Sequence, residues 1–308
     1  MILARSPVRI TFAGGGTDIK SYYERDGGFL IAAGLNKYTW VMVNSGGKDS
    51  ISPRNRMVGE ALMVCGMTDP IGLRVLNDVP HGTGLGTSGS FIVAMFAALK
   101  RYQGKTLNKH DLAELACYLE IEVLGAPIGK QDQYAAAFGG INGYTFDKRG
   151  NVRVEPLVLC ARAKEALKER LIIFHTGLDR KASDVLTGQV REMEQGGDVL
   201  KKLDRVKEMA VETKKLLEDG RFDDWGLLLD DYWKVRRSIS TKISNDTIDD
   251  IYDTALKNGA TGGKLQGAGS GGYMMFYCPE DKDSVRRALD LEELHFNWDT
   301  GGVRTWKL

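Results

Sequence analysis

A loop of small residues directly before an apolar helical segment is the part of this sequence best suited to chemistry. It runs from Pro80 to Ser90 as PHGTGLGTSGS and continues into the apolar run FIVAMFAAL. Glycines let backbone N–H groups converge on an anion, because no side chain obstructs the approach. A helix start adds unpaired N–H groups and positive partial charge. These features predict a phosphate site, where the hydroxyls of Thr87, Ser88 and Ser90 can reach phosphate oxygens or magnesium.

Two further glycine-rich stretches lie at 14–18 (GGGTD) and 267–272 (GAGSGG). One such stretch is often only a turn, but three that are edged by hydroxyls or a carboxylate favour phosphate or sugar binding. The pattern G-x-G-x-x-G at 84–89 does not indicate a dinucleotide fold. The chain after Gly104 enters a helix, where that fold needs a second strand ending in a ribose-binding acid. The P-loop pattern is absent from the sequence.

Four charged residues have the types that phosphoryl transfer requires. That reaction needs a group that holds metal, a group that positions the acceptor hydroxyl, and positive charge near the moving phosphoryl group. The candidates are Arg9, Asp18, Glu120 and Asp132. Each has a purely structural alternative: a strand surface residue, a turn carboxylate, an exposed helix-face residue and a carboxylate at a helix start, respectively. Spacing alone leaves both interpretations open.

The composition is that of an ordinary water-soluble globular protein. The 308 residues suit one large domain or two packed domains. A net charge of +1 gives no indication of a nucleic-acid or membrane partner. The four cysteines form no C-x-x-C pair and the four histidines have no metal-ligand spacing, which argues against a zinc site or a disulfide framework. Without a signal-peptide core or a membrane-spanning apolar run, the expected location is cytoplasmic.

Strands and helices alternate without a strict βαβ order, which predicts the α+β class. The change in character near residue 160 predicts two domains, 1–160 and 161–308. Within them we expect two strands around a turn between Gly28 and Val43, and a helix over 108–124. Three charge-rich helices are expected near 180–194, 198–219 and 221–238.

Several motifs resemble those of the GHMP small-molecule kinases, a family that includes galactokinase, homoserine kinase and mevalonate kinase. Pro80-x-x-x-Gly84-Leu-Gly86-Thr-Ser88 resembles the ATP-binding motif. The segment from Arg9 to Asp18 resembles the sugar-binding segment of the sugar kinases. Segment 120–133 is similar to the one that carries a metal-binding glutamate and a catalytic aspartate, and 264–272 is similar to the C-terminal glycine motif. The motifs occur in the family's order and extend over nearly the whole chain.

The resemblance implies a ribosomal-S5-like N-terminal domain, a ferredoxin-like C-terminal domain and an active site between them. It further implies an ATP- and Mg²⁺-dependent kinase that phosphorylates the anomeric hydroxyl of a sugar phosphate, with a heptose phosphate as the expected acceptor. Kinases for fucose, galactose or an N-acetylhexosamine, and a non-catalytic sugar and ATP sensor, are the alternatives. The oligomeric state is left open, with a homodimer as one option.

The same resemblance assigns roles to individual residues. Asp132 and Arg9 are the expected catalytic residues, and Ser88 and Glu120 the expected magnesium ligands. The expected nucleotide-binding residues are Gly82, Gly84, Leu85, Gly86, Thr87, Ser88, Gly89 and Ser90. The expected substrate-binding residues are Gly16, Thr17, Asp18, Gly269 and Gly271. Candidates for binding a phosphate on the sugar are Lys37, Lys130, Arg180 and Lys181.

Overall fold

The computed structural model describes residues 1–45, 55–68, 71–178, 188, 190, 193 and 196–308. Its strands form two antiparallel sheets. In the described residues, no helix combines the length and the apolar character needed to cross a membrane. The strands are β1 (Ile2–Ala13), β2 (Gly28–Ser45), β3 (Ile71–Asn77), β4 (Ile141–Phe146), β5 (Val152–Pro156), β6 (Leu171–His175), β7 (Gly262–Leu265), β8 (Tyr273–Tyr277) and β9 (Arg304–Lys307).

The first sheet is built around the long strand β2. Its strand order is β5-β4-β2-β1-β9, and β3 also pairs with β2. The first part of β2 pairs with β4 and its last part pairs with β3. The prediction of two strands around a turn between Gly28 and Val43 is therefore wrong. The chain stays extended at Gly34, which has no Cβ and lies close to Gly139 of a neighbouring loop.

Helices cover this sheet and surround the second one. The helix α3 packs on β1 and β2 and buries most of its apolar run, because nearly every side of it faces protein. The α-helices within the described residues are α1 (Lys20–Asp26), α2 (Arg56–Val64), α3 (Thr87–Tyr102), α4 (Lys109–Cys117), α5 (Gln131–Phe138), α6 (Ala161–Arg170), α7 (Asp198–Glu218), α8 (Phe222–Arg237), α9 (Asp246–Lys257) and α10 (Lys282–Leu289). Most of the helix expected near 180–194 lies outside the described residues.

The helix expected over 108–124 changes its winding part of the way along. Asn108 caps α4, as its side chain accepts a hydrogen bond from the Asp111 amide. After α4, residues Tyr118–Val123 form a π-helix. Such wider turns occur often at functional sites. Here the π-helix places the consecutive residues Leu119 and Glu120 both inside the protein, so the exposed-face alternative for Glu120 is wrong.

The two sheets share one apolar core. The second sheet has the order β6-β8-β7. Residues of β1 and β2 belong to the same buried cluster as residues of α7, α8 and β8. Phe12 of β1 meets Trp225 of α8 edge to face, with ring centroids 5.3 Å apart. The last strand, β9, returns to pair with β1. A division near residue 160 stays a prediction, and β9 crosses it.

Candidate active site

An open cleft lies where the first sheet, the N-terminus of α3, α5 and the second half of the chain meet. Both halves of the chain contribute side chains to the cleft, and the shared apolar core holds the two halves together. The lining residues are Arg9, Thr11, Gly15, Gly16, Asp18, Ile19, Gly82, Gly84, Gly86, Thr87, Ser88, Ile128, Gly129, Gln131, Asp132, Tyr232, Arg236, Lys264, Gly267 and Ala268.

Arg9 and Asp132 form an ion pair within this cleft. Arg9 Nη2 lies 2.6 Å from Asp132 Oδ1, and Arg9 Nε donates to the same oxygen at 2.8 Å. Arg9 is only 3% exposed, whereas Asp132 is 27% exposed and can reach a ligand. Arg9 Nη1 also donates to the carbonyl of Gly84 at 2.5 Å. The arginine therefore joins the carboxylate to the glycine loop, and a charge-assisted network fixes both.

The glycine loop ends in a helix start whose amides have no side-chain cap. Gly86 takes the left-handed conformation, at φ +75°, and α3 begins at Thr87. A Cβ atom at Gly86 would lie 3.1 Å from Asp132 Cγ and 3.3 Å from Arg9 Cγ. Glycine is therefore required here both for its backbone angle and for space. The uncapped amides and the helix dipole favour an anion at this point.

Five of the eight expected nucleotide-binding residues line the cleft, namely Gly82, Gly84, Gly86, Thr87 and Ser88. The other three are not among the lining residues, and a contact of theirs with a nucleotide stays a prediction. Leu85 is fully buried, and its carbonyl accepts the Arg9 amide. Gly89 permits α3 to approach α5, because a Cβ there would lie 2.7 Å from Asp132 Cβ. The Ser90 hydroxyl donates to the Ser6 carbonyl at 2.7 Å, so it faces β1 and not the cleft.

Ser88 connects the cleft to the buried carboxylate of Glu120. The Ser88 hydroxyl donates to Glu120 Oε1 at 2.8 Å, and Gln133 Nε2 donates to the other oxygen. Glu120 is 4% exposed, and burial raises its pKa from 4.5 to about 7 despite these two hydrogen bonds. No positive charge among the described residues offsets the burial of this carboxylate.

A hydroxyl and a carboxylate are donors of the type that Mg²⁺ prefers. In the part of the chain that the structure describes, no cluster of three or more His, Cys, Asp or Glu residues could hold a metal ion. A magnesium ion at Ser88 and Glu120 would thus need phosphate oxygens and water to complete its shell, which is usual for this ion. The Ser88–Glu120 pair fits such an ion.

Of the expected sugar-binding residues in the first glycine stretch, Gly16 and Asp18 line the cleft and Thr17 does not. Thr17 is fully buried, and its hydroxyl bonds backbone groups of Gly14 and Phe29. The Thr17 side chain therefore does not face the cleft, and its contact with a sugar stays a prediction. The Asp18 oxygens accept the amides of Gly16 and Gln131, each at 3.0 Å. Burial raises the Asp18 pKa.

The C-terminal glycine motif borders the cleft through Gly267 and Ala268 and not through Gly269 and Gly271. A Cβ at Gly269 would lie 2.6 Å from Ile243 Cα, and one at Gly271 would lie 2.6 Å from the Leu178 carbonyl oxygen. These two glycines therefore allow loops of the second half to pack closely. Their contact with substrate stays a prediction.

The two expected phosphate-binding cations that the structure describes, Lys37 and Lys130, are not among the residues that line the cleft. Lys130 bonds both oxygens of Glu114, at 3.0 and 3.1 Å, and the Gly150 carbonyl at 2.8 Å, so its charge is used elsewhere. Lys37 lies on β2 away from the cleft. Arg180 and Lys181 lie outside the described residues.

The sequence-based assignment gives no role to five polar side chains of the cleft: Thr11, Gln131, Tyr232, Arg236 and Lys264. Thr11 follows Arg9 at the two-residue period of a strand, which puts both on one face and could have revealed it. Lys264 begins the quoted glycine motif but was given no role. Tyr232 and Arg236 are spaced i, i+4 on α8, but nothing in that helix's sequence distinguishes the face that meets the cleft.

Comparison with known proteins adds to this geometry. The family description GHMP kinases N terminal domain matches residues 55–140, and GHMP kinases C terminal matches residues 213–294. A Campylobacter jejuni protein named D-glycero-alpha-D-manno-heptose 7-phosphate kinase is 30% identical over 339 residues, covering 100% of this chain and 99% of the relative. The chain belongs to the GHMP kinase family and is an ATP-dependent kinase.

Two solved structures have the same fold over their full lengths. One is described as a D-glycero-D-manno-heptose 1-phosphate kinase from Bacteroides thetaiotaomicron, with a TM-score of 0.79, 24% identity and coverage of 100% of this chain and 99% of that chain. The other is a putative sugar kinase from Campylobacter jejuni, with a TM-score of 0.77, 27% identity and coverage of 100% and 98%. The predicted α+β class and GHMP kinase fold are confirmed.

Proposed function

We propose that this chain transfers the γ-phosphoryl group of ATP to the anomeric hydroxyl of a heptose that already carries a phosphate, D-glycero-D-manno-heptose 7-phosphate. The observation that carries the proposal is the Arg9–Asp132 ion pair, held against the glycine loop in a cleft that also contains Asp18. The full-length similarity to a relative named for this substrate supports the choice of sugar.

The glycine loop and the first turn of α3 would hold the ATP phosphates. Gly82, Gly84 and Gly86 leave the backbone open, and the α3 amides have no competing side-chain cap. Thr87 and Ser88 line the cleft at this point and add hydroxyl donors. A backbone cradle with a helix dipole behind it stabilises phosphate charge without moving a side chain.

Magnesium would bind at the Ser88 hydroxyl and the Glu120 carboxylate. When bound, it neutralises charge on the phosphate oxygens. Gln133 and the π-helix hold Glu120 in place before the ion arrives. The ion's charge would in turn stabilise the ionised form of this buried carboxylate.

Asp132 would orient the acceptor hydroxyl and accept its proton, and Arg9 would offset the charge that builds up on the phosphoryl group. A loose transition state requires little activation of the nucleophile, so positioning of the acceptor hydroxyl contributes more to the rate. Arg9 is suited to positioning, because it bonds the loop and Asp132 at the same time. Asp18 and Gly16 would contact the sugar next to Asp132, since Asp18 accepts the amide of the neighbouring residue Gln131.

A substrate panel tests the proposal. ADP release would be measured with D-glycero-D-manno-heptose 7-phosphate, fucose, galactose and an N-acetylhexosamine, and phosphorus NMR would locate the new phosphate. The expected result is turnover of the heptose 7-phosphate, with a new phosphate on the anomeric oxygen. Preferred turnover of an unphosphorylated sugar would identify a kinase for another sugar, and absence of turnover with every acceptor would favour a sensor.

A further inference from the structure

Two buried cations on the second-half wall of the cleft have no acidic partner among the described residues. Arg236, in the last turn of α8, is 6% exposed, and Lys264, in β7, is 4% exposed. Both line the cleft. Neither takes part in an ion pair in the described part of the chain. The Lys264 ammonium donates to the Thr11 carbonyl at 3.0 Å, and Arg236 Nη1 is buried without a hydrogen-bond partner.

An uncompensated buried charge destabilises a protein, and proteins avoid it unless the charge meets a partner of opposite sign. Asp18 is the acidic group whose charge acts on Arg236, but its oxygens already accept two backbone amides. Burial lowers the pKa of Lys264 well below its usual value, and the neighbouring charges of Arg9 and Arg236 lower it further. The two cations therefore form a preformed receptor for an anion that is not part of the described chain.

The position of the pair separates it from the phosphoryl donor's side of the cleft. Arg9 is neutralised by Asp132 and bonded to the glycine loop. Lys264 is held against Thr11, two residues along β1 from Arg9, and its charge interacts with both Arg9 and Arg236. The three cations thus lead from the Asp132 end of the cleft toward α8. Arg9 is paired with the negative charge of Asp132, whereas Lys264 and Arg236 have no ion-pair partner among the described residues.

We propose that Arg236 and Lys264 bind the phosphate that the acceptor sugar already carries, and that they select a phosphorylated sugar over a free one. This inference rests on the proposed function. A phosphate dianion matches two cations, and a guanidinium can donate to two of its oxygens at once. Lys130, which the sequence offered for this task, is already neutralised by Glu114.

The test compares Arg236→Gln with Arg237→Gln. Arg237 is the next residue on α8, is partly exposed, and pairs with Asp249 at 3.0 Å outside the cleft. In Arg236→Gln the KM for the heptose 7-phosphate should rise about 10- to 100-fold, the loss expected for a charged hydrogen bond. The calorimetric Kd for ADP should stay within about twofold of wild type. Arg237→Gln should behave as wild type in both measurements.

Calorimetry with the same heptose lacking its phosphate isolates the contribution of that group. Wild type should bind the phosphorylated sugar more tightly than the free sugar. In Arg236→Gln the ratio of the two Kd values should be closer to one. The inference would be overturned, while the proposed function stands, by an unchanged ratio of these Kd values. An ADP Kd that rises as much as the KM for the heptose 7-phosphate would also overturn it. Failure of wild type to phosphorylate the heptose 7-phosphate would instead reject the proposed function.

A second variant covers the case in which Arg236→Gln does not fold. Arg236→Lys keeps the positive charge but loses the planar fork, so a smaller rise in KM for the heptose 7-phosphate is expected. Added guanidinium ion should partly restore the KM of a folded Arg236→Gln protein and should leave Arg237→Gln unchanged. If Arg236→Gln does not fold, a KM for the heptose 7-phosphate that is identical in wild type and Arg236→Lys would overturn the inference. If Arg236→Gln folds, a KM that guanidinium ion leaves unchanged would overturn it as well.

Discussion

At the scale of single residues, the Arg9–Asp132 pair shows how one side chain can serve two neighbours. The guanidinium bonds the Asp132 carboxylate and the Gly84 carbonyl together. A planar group with several fixed donors can do this, whereas a lysine ammonium cannot match the geometry. The relative position of carboxylate and loop is therefore set before any ligand binds, which is what a positioning mechanism requires.

The first prediction concerns Asp132. Asp132→Asn keeps the size of the side chain but removes its charge, so kcat should fall by about 10²- to 10⁴-fold. Binding of ADP should change little, because Arg9 keeps its own hydrogen bond to the Gly84 carbonyl of the loop. The measurements are ADP release and calorimetry. Glu122→Gln is the control, because it also removes a carboxylate charge, but from an exposed residue. Full turnover in Asp132→Asn would contradict the assigned role.

The second prediction concerns pH and Glu120. Burial raises its pKa from 4.5 to about 7, so between these values the folded chain holds a proton that the unfolded chain releases. The free energy of unfolding should therefore fall as pH rises through this window, by about 3 kcal/mol at most. Glu120→Gln cannot titrate and should lack this contribution.

Urea denaturation of the ligand-free proteins between pH 5 and pH 8 checks this expectation. The stability of Glu120→Gln relative to wild type should increase with pH, and Glu122→Gln should follow wild type throughout. Parallel curves for Glu120→Gln and wild type would show that the buried carboxylate does not titrate in this range.

At the scale of elements, the N-terminus of α3 depends on a glycine that meets two demands. Gly86 has φ +75° and has Arg9 and Asp132 within 3.3 Å of where a Cβ would be. Gly104, just beyond the other end of α3, has φ +76° and open space around it. The two positions share the backbone requirement and differ only in crowding.

The third prediction uses this difference. Gly86→Ala and Gly104→Ala should each lose about 1–2 kcal/mol from the strain of a left-handed alanine. Only Gly86→Ala should also lose most of its turnover and ATP affinity, because its methyl group displaces Asp132 and Arg9. Thermal denaturation and steady-state kinetics measure both effects. Equal activity losses in the two variants would mean that backbone strain, and not displacement, is responsible.

Local patterns predicted most elements but not their irregularities. The helix after the glycine loop and the Asn108 cap follow from composition and spacing. The sequence between Gly28 and Val43 does not show whether it forms two strands or one long strand. The two parts of β2 pair with different neighbours, β4 and β3, and this pairing is decided by the tertiary structure. The π-helix has no local signature here, since its register is selected by packing around Glu120. The helices α1, α2 and α6 were not predicted.

The candidate site was predictable where small residues and charges occur in motifs, and not where helices meet. Gly84, Ser88, Glu120 and Asp132 come together around the cleft as expected. Arg236 could not be found, because its neighbour Arg237 is chemically identical and only the packing of α8 decides which of them is buried. The hydroxyls of Thr17 and Ser90 bond backbone carbonyls away from the cleft, which the motif alone does not indicate.

At the scale of the whole molecule, the two halves are joined by polar contacts as well as by the core. Gln266 Oε1 accepts the Thr11 amide at 2.8 Å, and the Tyr232 hydroxyl accepts the Gly14 amide at 3.1 Å. The amide of Tyr273 donates to the Thr83 carbonyl at 3.0 Å. Opening the cleft would break several of these bonds at once.

The fourth prediction is that the chain unfolds in one step. Urea curves from far-ultraviolet circular dichroism and from tryptophan fluorescence should coincide, because the shared core leaves neither half stable alone. Tyr232→Phe leaves the Gly14 amide unpaired and should lower stability by about 1–3 kcal/mol without splitting the transition. Two separate transitions would indicate halves that fold independently.

The pairing of β9 with β1 has a consequence for how the protein is made. The edge of β1 is completed by Arg304–Lys307, which leave the ribosome only after all the elements around the cleft have emerged. A nascent chain halted before Arg304 therefore exposes a bare strand edge that can pair with another polypeptide. Final closure of the first sheet must wait until translation has passed residue 307.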